Sequence, residues 1–428
     1  GPSTSNLQKY GWIFRLLYHI SFSFFFRQQM RQRPFSLLLF ALSTGSGTSF
    51  SLPSALLSGR SLSVHSQSCM SKRKFASMSQ FVADSESLDV LSAVPEDAKA
   101  IGTHDGTFHC DEALAIAMLK CLPEFKDHVI VRTRNPDELA KCHIVVDVGA
   151  EYDAERLRFD HHQKTFDGVL EGYSTKLSSA GLIYKHYGRS IIETVSEGKF
   201  PQEILGDIYK KVYEGFVEAV DGVDNGVEAW GPAAEGDPAP ARRYRVTTDL
   251  SARVGRLNPQ WNEPYTAEAL GERFKAAVAL TGAEFAGTVL GLADGWWPAR
   301  ALVQEAMEAR AAVHPSGEIV KFTSFAPWKS HLFDLERAAG TEGQVKYVLY
   351  PDGSSGKWRI QAVSVAEQSF QSRLALPEAW RGVRDAELSA VSGVPGGVFV
   401  HASGFIGGNE TEDGVLQMAI KALEMGGK

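Results

Sequence analysis

Cysteine is scarce in this chain. There are four in 428 residues (Cys69, Cys110, Cys121 and Cys142), too few and too irregular for a disulfide framework, and no CxxC pair points to zinc or redox chemistry. A reducing compartment follows. Long apolar runs are missing as well: residues 35–42 extend for only eight positions and residues 10–26 are interrupted by Arg15 and His19, whereas a membrane span needs about 20 apolar residues. No membrane association is expected. Acidic residues are absent from residues 1–83, which carry nine Lys and Arg, so residues 84–428 hold 35 basic against 51 acidic side chains, a balance of −16. That surplus disfavours broad electrostatic adhesion to nucleic acid; such a substrate would need a local basic groove or bound cations. No internal repeat of fixed period is present. The composition, 44 % apolar and 22 % charged with 40 Gly and 18 Pro, is otherwise that of an ordinary globular protein and rules out collagen, coiled-coil and fully disordered chains.

Between Met30 and Gln80, fourteen serines accompany Arg31, Arg33, Arg60, Lys72, Arg73 and Lys74 without one carboxylate. A Ser-rich, Arg-bearing, acid-free leader reads as a transit peptide, mitochondrial or plastid. Residues 1–83 are therefore expected to be disordered or cleaved. Lys72-Arg73-Lys74 follows Met70, and initiation there would give a shorter nuclear or nucleolar form.

From residue 98 onward short apolar runs alternate with helical patterns. Strands are expected at 98–102, 129–133 and 143–148, and helices at 111–121, 178–187, 202–220, 267–293 and 299–312. Alternation of this kind argues for an α/β domain with a mainly parallel sheet over 98–305. The Gly/Pro/Ala-rich segment 231–240 is a loop excursion within it. Strands at 319–325, 345–350, 358–363 and 398–401, closed by a helix at 412–423, make residues 306–428 a smaller α+β domain. The active site is expected in the cleft between the two.

Four groups of acid and imidazole residues follow apolar runs: His104, Asp105, His109, Asp111 and Glu112 in one loop, then Asp147, then Asp160-His161-His162, then Asp221 with Asp224. Singly, each has a plain role as a helix cap or loop residue. Together they would converge on the C-terminal edge of one parallel sheet, where ligands bind. Carboxylates crowded there repel one another, and divalent cations would stabilise them. Mixed imidazole and carboxylate ligands suit Mn²⁺, Fe²⁺ or Zn²⁺, and the preponderance of Asp keeps Mg²⁺ open. Asp147 is the residue placed to bridge two ions, with a water acidified between them as the attacking group on phosphorus.

The Asp-His-His triplet, with an isolated strand-end Asp before it and an N-terminal His/Asp loop, resembles the DHH phosphoesterase superfamily. The strings IGTHDGTFHCDEALA (101–115), IVVDVGAEYD (144–153), RFDHHQKTF (158–166), KLSSAGLIY (176–184), AVDGVDNGV (219–227), APWKSHLFDLE (326–336) and VFVHASGFIGGNET (398–411) look more closely like the MYG exonuclease family, the melanocyte-proliferating-gene family. The resemblance implies a two-metal 3′→5′ exoribonuclease of mitochondrion and nucleus, using Mn²⁺ or Mg²⁺. It implies metal ligation by His104, Asp105, His109, Asp111, Asp147, His161, His162 and Asp221. Catalytic roles fall to Asp147, Asp160, His161 and His162, with Asp160 orienting an imidazole.

In the second domain, His401 to Asn409 precede the last helix. Glycines there would let backbone N–H groups approach a phosphate, and Asn409 with Glu412 fits an N-cap and its partner. In the family context the segment resembles a glycine-rich substrate loop, so His401, Ser403, Gly407 and Gly408 are expected on the substrate side, with Lys329, His331 and Arg359 as further contacts. RNA or an oligonucleotide is the expected partner. Two other readings remain open: a nucleotide or short-oligonucleotide phosphatase, and a non-catalytic scaffold that keeps the fold. Against the scaffold, all four ligand groups are present.

Overall fold

The computed structural model describes residues 87–230 and 246–426. The leader over 1–83 and the 231–240 excursion lie outside the described residues. The first sheet has six strands: β1 (Val90–Leu91), β2 (Ala100–Thr103), β3 (Val129–Arg132), β4 (Ile144–Val146), β5 (Tyr152–Asp153) and β6 (Arg158–Phe159), in the order β1-β3-β2-β4-β6-β5. Every neighbouring pair is parallel except β5 with β6. β2 and β4 are buried at every position, as expected of parallel strands covered on both faces.

The covering helices are α1 (Cys110–Lys120), α2 (Pro136–Lys141), α3 (Ser179–Val195), α4 (Leu205–Val212), α5 (Glu218–Asp224), α6 (Leu250–Gly255) and α7 (Ala267–Gly291). α1 is buried from Cys110 through Leu119 and, after Asp111 and Glu112 in its first turn, is apolar all round; α3 and α7 both pack on it. The helix expected at 202–220 is a run of pieces: α4 passes through a π turn at Tyr213–Val217 into α5. A second π turn at Leu292–Trp296 joins α7 to α8 (Trp297–Glu308). Residues 267–308 are long and apolar enough to cross a membrane, the one such run among the described residues. Its buried face (Phe274, Val278, Phe285, Val289) fills the main core, so a core helix accounts for its apolarity.

After the short α9 (Arg310–Val313), the second sheet comprises β7 (Ile319–Lys321), β8 (Tyr347–Pro351), β9 (Trp358–Ala362), β10 (Gly397–Val400) and β11 (Ile406–Asn409), ordered β10-β11-β9-β8-β7. Only β7 with β8 is parallel. The other helices are α10 (Lys329–Ala339), α11 (Asp385–Ser392) and α12 (Glu412–Gly426). Val415 and Met418 of α12 pack with Ile319, Leu349 and Ile360. Val303 and Met307 of α8 and Leu332 of α10 pack with Val320 and Val348, so residues on both sides of position 305 belong to one helix and one core.

The glycine-rich segment departs from the loop expected there. Gly407 and Gly408 lie inside β11, paired with Val400 and Phe399 on one side and with Ile360 and Arg359 on the other. A Cβ at Gly408 would come within 3.0 Å of the Trp358 carbonyl oxygen, so glycine serves close packing of strands. The cap also differs. Thr411 Oγ1 accepts from Gly414 N–H at 3.0 Å, while Asn409 is buried and its amide donates to the Pro395 carbonyl.

Candidate metal centre

β2, β4 and β6 are adjacent and parallel, so the chain leaves all three at the same edge. The first exit carries His104, the second Asp147, and the third Asp160-His161-His162. Asp147 takes φ of 58°, the left-handed region that Asp tolerates better than most residues, and this turns the chain sharply off β4. α1 starts one residue after His109 and puts Asp111 in its first turn. α5 contributes Asp224 from its C-terminal end.

Three groups of potential ligand atoms result: His104, His109, Glu112 and Asp147; Asp147, His161 and His162; and Asp111, His161 and Asp224. Asp147 belongs to the first two and His161 to the last two, making one continuous cluster. His161 Nε2 lies 3.4 Å from Asp147 Oδ1, 3.2 Å from Asp224 Oδ2 and 3.8 Å from Asp111 Oδ2. His162 Nδ1 lies 3.6 Å from Asp147 Oδ1. His104 Nε2 lies 3.0 Å from Glu112 Oε1 and 3.4 Å from Asp147 Oδ2.

The electrostatics divide this cluster. On the His104 side, burial lowers the imidazole pKa, but contacts with Asp147 and Glu112 outweigh it and raise it to about 10. Asp147 is correspondingly held below the usual carboxylate range, the His104 and His161 contacts overcoming its burial. On the other side, burial first and then the charges of Asp147 and Asp224 push Asp111 well up. Asp224 is also raised by burial, with His161 opposing and Asp147 adding to the shift. Asp111 Oδ1, Glu112 Oε2 and both ring nitrogens of His161 are buried without a hydrogen-bond partner among the described residues. Buried polar atoms left unpaired cost on the order of 1–3 kcal/mol each, and a divalent cation is the ligand that would satisfy acceptor oxygens and imidazole nitrogens together. The residues fit such an ion.

Supporting contacts hold these groups in place. Glu112 Oε1 accepts from His109 N–H at 2.8 Å, a capping box that fixes the start of α1. Asp160 Oδ1 meets His162 Nδ1 at 2.7 Å and its Oδ2 accepts from Ala150 N–H at 2.6 Å, so Asp160 orients the His162 ring. Ser179 donates through Oγ to Asp147 and through N–H to Asp111.

Asp221 lies outside the three groups. Its Oδ1 accepts from Ser178 N–H and Oγ–H at 2.9 and 2.7 Å, and its Oδ2 accepts from Tyr213 OH at 3.0 Å. Burial pushes this carboxyl up to about 6 against those bonds. A Cβ on Gly181 would come within 2.4 Å of the same carboxylate, so only glycine permits the approach. Asp105 also points elsewhere, pairing with Arg134 at 3.1 Å on the surface.

The substrate residues expected between positions 329 and 408 have local partners of their own. His331 is buried, stacked on Trp296 at 4.1 Å with Nε2 2.8 Å from the Trp296 carbonyl oxygen. Arg359 pairs with Asp352 at 3.0 Å. His401 Nδ1 and Ser403 Oγ are 2.9 Å apart in an exposed turn before β11, and Lys329 opens α10, half-buried. Two cavities flank the cluster. One, about 520 Å³, is lined by His109, Asp147, His161, His162, Asp224 and, from the rim, Lys176 and Ser251. The other, about 460 Å³, is lined by His104, Arg134, Asp160 and the Asp147–Ala150 turn. Neither has a lining residue beyond Gly255.

Sequence alone assigns no role to Glu112 or Lys176, and it places Asp224 beside Asp221 without a role of its own. The His109-x-x-Glu112 spacing is the signal for a capping box; for Lys176, sequence carries no comparable signal.

Residues 100–423 match the model of a family described as Uncharacterised protein family (UPF0160). The human protein named MYG1 exonuclease is 52% identical over 330 residues, covering 76% of this chain and 85% of that protein. The chain belongs to this family. The Dictyostelium discoideum MYG1 protein is 46% identical over 329 residues, covering 77% of this chain and 97% of that protein. The Saccharomyces cerevisiae MYG1 protein YER156C is 45% identical over 327 residues, covering 76% and 96%. The mammalian relatives' names support a nuclease, hence a hydrolytic enzyme with a nucleic-acid substrate.

Proposed function

We propose that the chain is a DHH-type, two-metal 3′→5′ exoribonuclease that uses Mn²⁺ or Mg²⁺ and acts in the mitochondrion, with a nuclear form starting at Met70. The observation that carries the metal reading is the shared position of Asp147 and His161 among three ligand groups at one sheet edge. Hydrolysis of nucleic acid is supported by the relatives' exonuclease name; the 3′→5′ polarity and the choice of RNA rest on the family resemblance of the motif strings.

His104, His109, Glu112, Asp111, Asp147, His161, His162 and Asp224 would hold the ions. Divalent cations bound there supply Lewis acidity, which lowers the pKa of water and offsets charge developing on a phosphoryl group. The chain's own residues set the stage for that chemistry. His104 carries a proton between Asp147 and Glu112, and that proton must leave before its Nε2 can act as a ligand. Asp160 fixes the His162 ring through Nδ1, leaving Nε2 for an incoming group. Lys176 stands at the rim of the larger cavity as its one Lys or Arg among the described residues, placed to meet a phosphate.

The test is Mn²⁺-dependent release of nucleotide from RNA labelled at the 3′ end, compared with the same RNA labelled at the 5′ end. Immediate release of the 3′ label, abolished in Asp147→Ala and in His161→Ala, is the expected result. Unchanged release in both variants, or loss of the 5′ label first, overturns it. A short-oligonucleotide phosphodiesterase is the second reading, favoured by cavities whose linings stop at Gly255; it predicts cleavage of dinucleotides and none of a long strand.

A further inference from the structure

Apart from the two cavities at the metal cluster, one of about 350 Å³ opens where α4, the two π turns, α8 and α10 meet. Glu214 comes to it from the first π turn and Trp296 from the second. π turns widen a helix locally and recur at functional positions, and here two of them border one groove. Its lining sets four basic side chains (Lys210, Lys211, Arg300 and Arg337) and the pair Trp296 and Trp297 beside three carboxylates. Of the carboxylates, Asp334 pairs with Arg337 at 3.3 Å, Glu214 accepts from Tyr173 OH at 2.7 Å, and Asp207 is exposed at the margin. Lys210 and Arg300 have no ion-pair partner among the described residues, in a body whose charge balance is −16.

The aromatic floor is built and held. Trp296 stacks on buried His331, donates Nε1–H to Ser330 Oγ at 2.7 Å and lies under Lys211 Nζ at 4.8 Å from its centroid. Trp297, half-buried like Trp296, meets it at 6.3 Å between centroids and stands outside the His331 stack and the Ser330 bond that hold Trp296. A π face beside unpaired cations is the chemistry that holds a base and its phosphates in single-stranded nucleic acid.

We propose that this groove is a second binding site for single-stranded RNA, distinct from the metal centre, which grips the body of a strand whose end is at the cluster. The choice of RNA rests on the nuclease reading above. Lys210 and Asp224 sit 14 positions apart on the continuous helical run of α4, π turn and α5, about 20 Å at 1.5 Å per residue. A strand several nucleotides long therefore reaches both, and a dinucleotide does not.

The experiment measures anisotropy of a labelled 12-nucleotide single-stranded RNA on the full chain in EDTA, over a series of salt concentrations. Lys210→Gln/Arg300→Gln is expected to weaken binding at least about fivefold and to flatten the log–log salt slope by about 0.7 for each phosphate no longer neutralised. Trp297→Ala is expected to weaken it by a similar factor with the slope unchanged. Lys210 and Arg300 are outside the core, so the first variant remains decisive if Trp297→Ala misfolds. In Mn²⁺, the ratio of kcat/KM for the 12-mer to that for a dinucleotide should fall at least fivefold in the Lys/Arg variant. Affinity and salt slope equal to the parent's overturn the groove while leaving the nuclease reading intact. RNA binding lost in the variants of a parent that hydrolyses no RNA supports the groove and removes the nuclease reading.

Discussion

Two sets of buried charges in this molecule are built in opposite ways. Beneath the second sheet, Glu336 and Arg373 form a closed pair. Arg373 Nη1 and Nη2 donate to the two Glu336 oxygens at 2.8 and 2.7 Å, Val345 N–H donates to Oε1 at 2.9 Å, and the remaining guanidinium bonds reach the Ser364 and Val345 carbonyls. At the edge of the first sheet, Asp111, Asp147 and His161 are equally buried and Asp224 is half-buried, yet acceptor and ring-nitrogen atoms there have no partner among the described residues. The first arrangement is finished by the chain itself and serves the fold. The second is unfinished, and a divalent cation is the ligand that would complete it. Unpaired acceptors and imidazole nitrogens gathered in one cluster, rather than burial or charge alone, separate a ligand site from a structural ion pair.

Breaking the closed pair should have the largest effect on stability. Arg373→Ala leaves Glu336 buried and unpaired and is expected to cost about 3–5 kcal/mol in urea unfolding, equally with Mn²⁺ or EDTA. A loss that Mn²⁺ restores would place this pair in the metal system.

Asp221 tests where the open set ends. Its folded pKa of about 6 exceeds the unfolded carboxyl value near 3.9, so the parent loses stability as pH rises from about 4 through 6 and the penalty is complete above that. Asp221→Asn carries no such penalty. The stability difference between variant and parent in EDTA should therefore shift in the variant's favour by about 2 kcal/mol between pH 4 and pH 7. A flat difference would show that Asp221 titrates normally.

Asp111 lies inside the open set. Asp111→Asn removes a carboxylate whose charged form burial and its neighbours disfavour, so stability in EDTA at pH 7 is expected to hold or rise. Mn²⁺ affinity in calorimetry should fall at least tenfold, about 1.4 kcal/mol. A variant destabilised in EDTA with unaltered Mn²⁺ binding would put Asp111 in the same class as Glu336. The smallest effect is expected at Thr411, where Thr411→Ala removes the α12 cap and costs about 1 kcal/mol in thermal unfolding, with no dependence on metal. No loss on substitution would return the cap to Asn409.

Much of this was legible in the sequence, for identifiable reasons. The strands β2 and β4 are apolar runs and β6 is their parallel neighbour, and parallel connection forces the residues after all three to one edge, so the grouping of His104, Asp147 and His161 follows from order. Helix rotation was harder to read. Asp221 and Asp224 are three positions apart, about 60° around the axis at 3.6 residues per turn, and a π turn just upstream shifts the phase, so residue spacing could not say which one faces His161. The sequence also could not tell that Asp105 turns outward to Arg134. In the second sheet, the Gly407-Gly408 pair reads as a loop because glycine is usually read for its backbone freedom. The structure uses its missing side chain instead, to let β11 lie against Trp358 and Phe399.

The central claim is that the open cluster binds divalent cations through Asp147. Isothermal titration of Mn²⁺ into chelator-stripped protein, run beside Asp147→Ala, addresses it most directly. Two ions per chain in the parent, with both sites lost or severely weakened in the variant, is the result expected. Equal binding in parent and variant, or none in either, would contradict it.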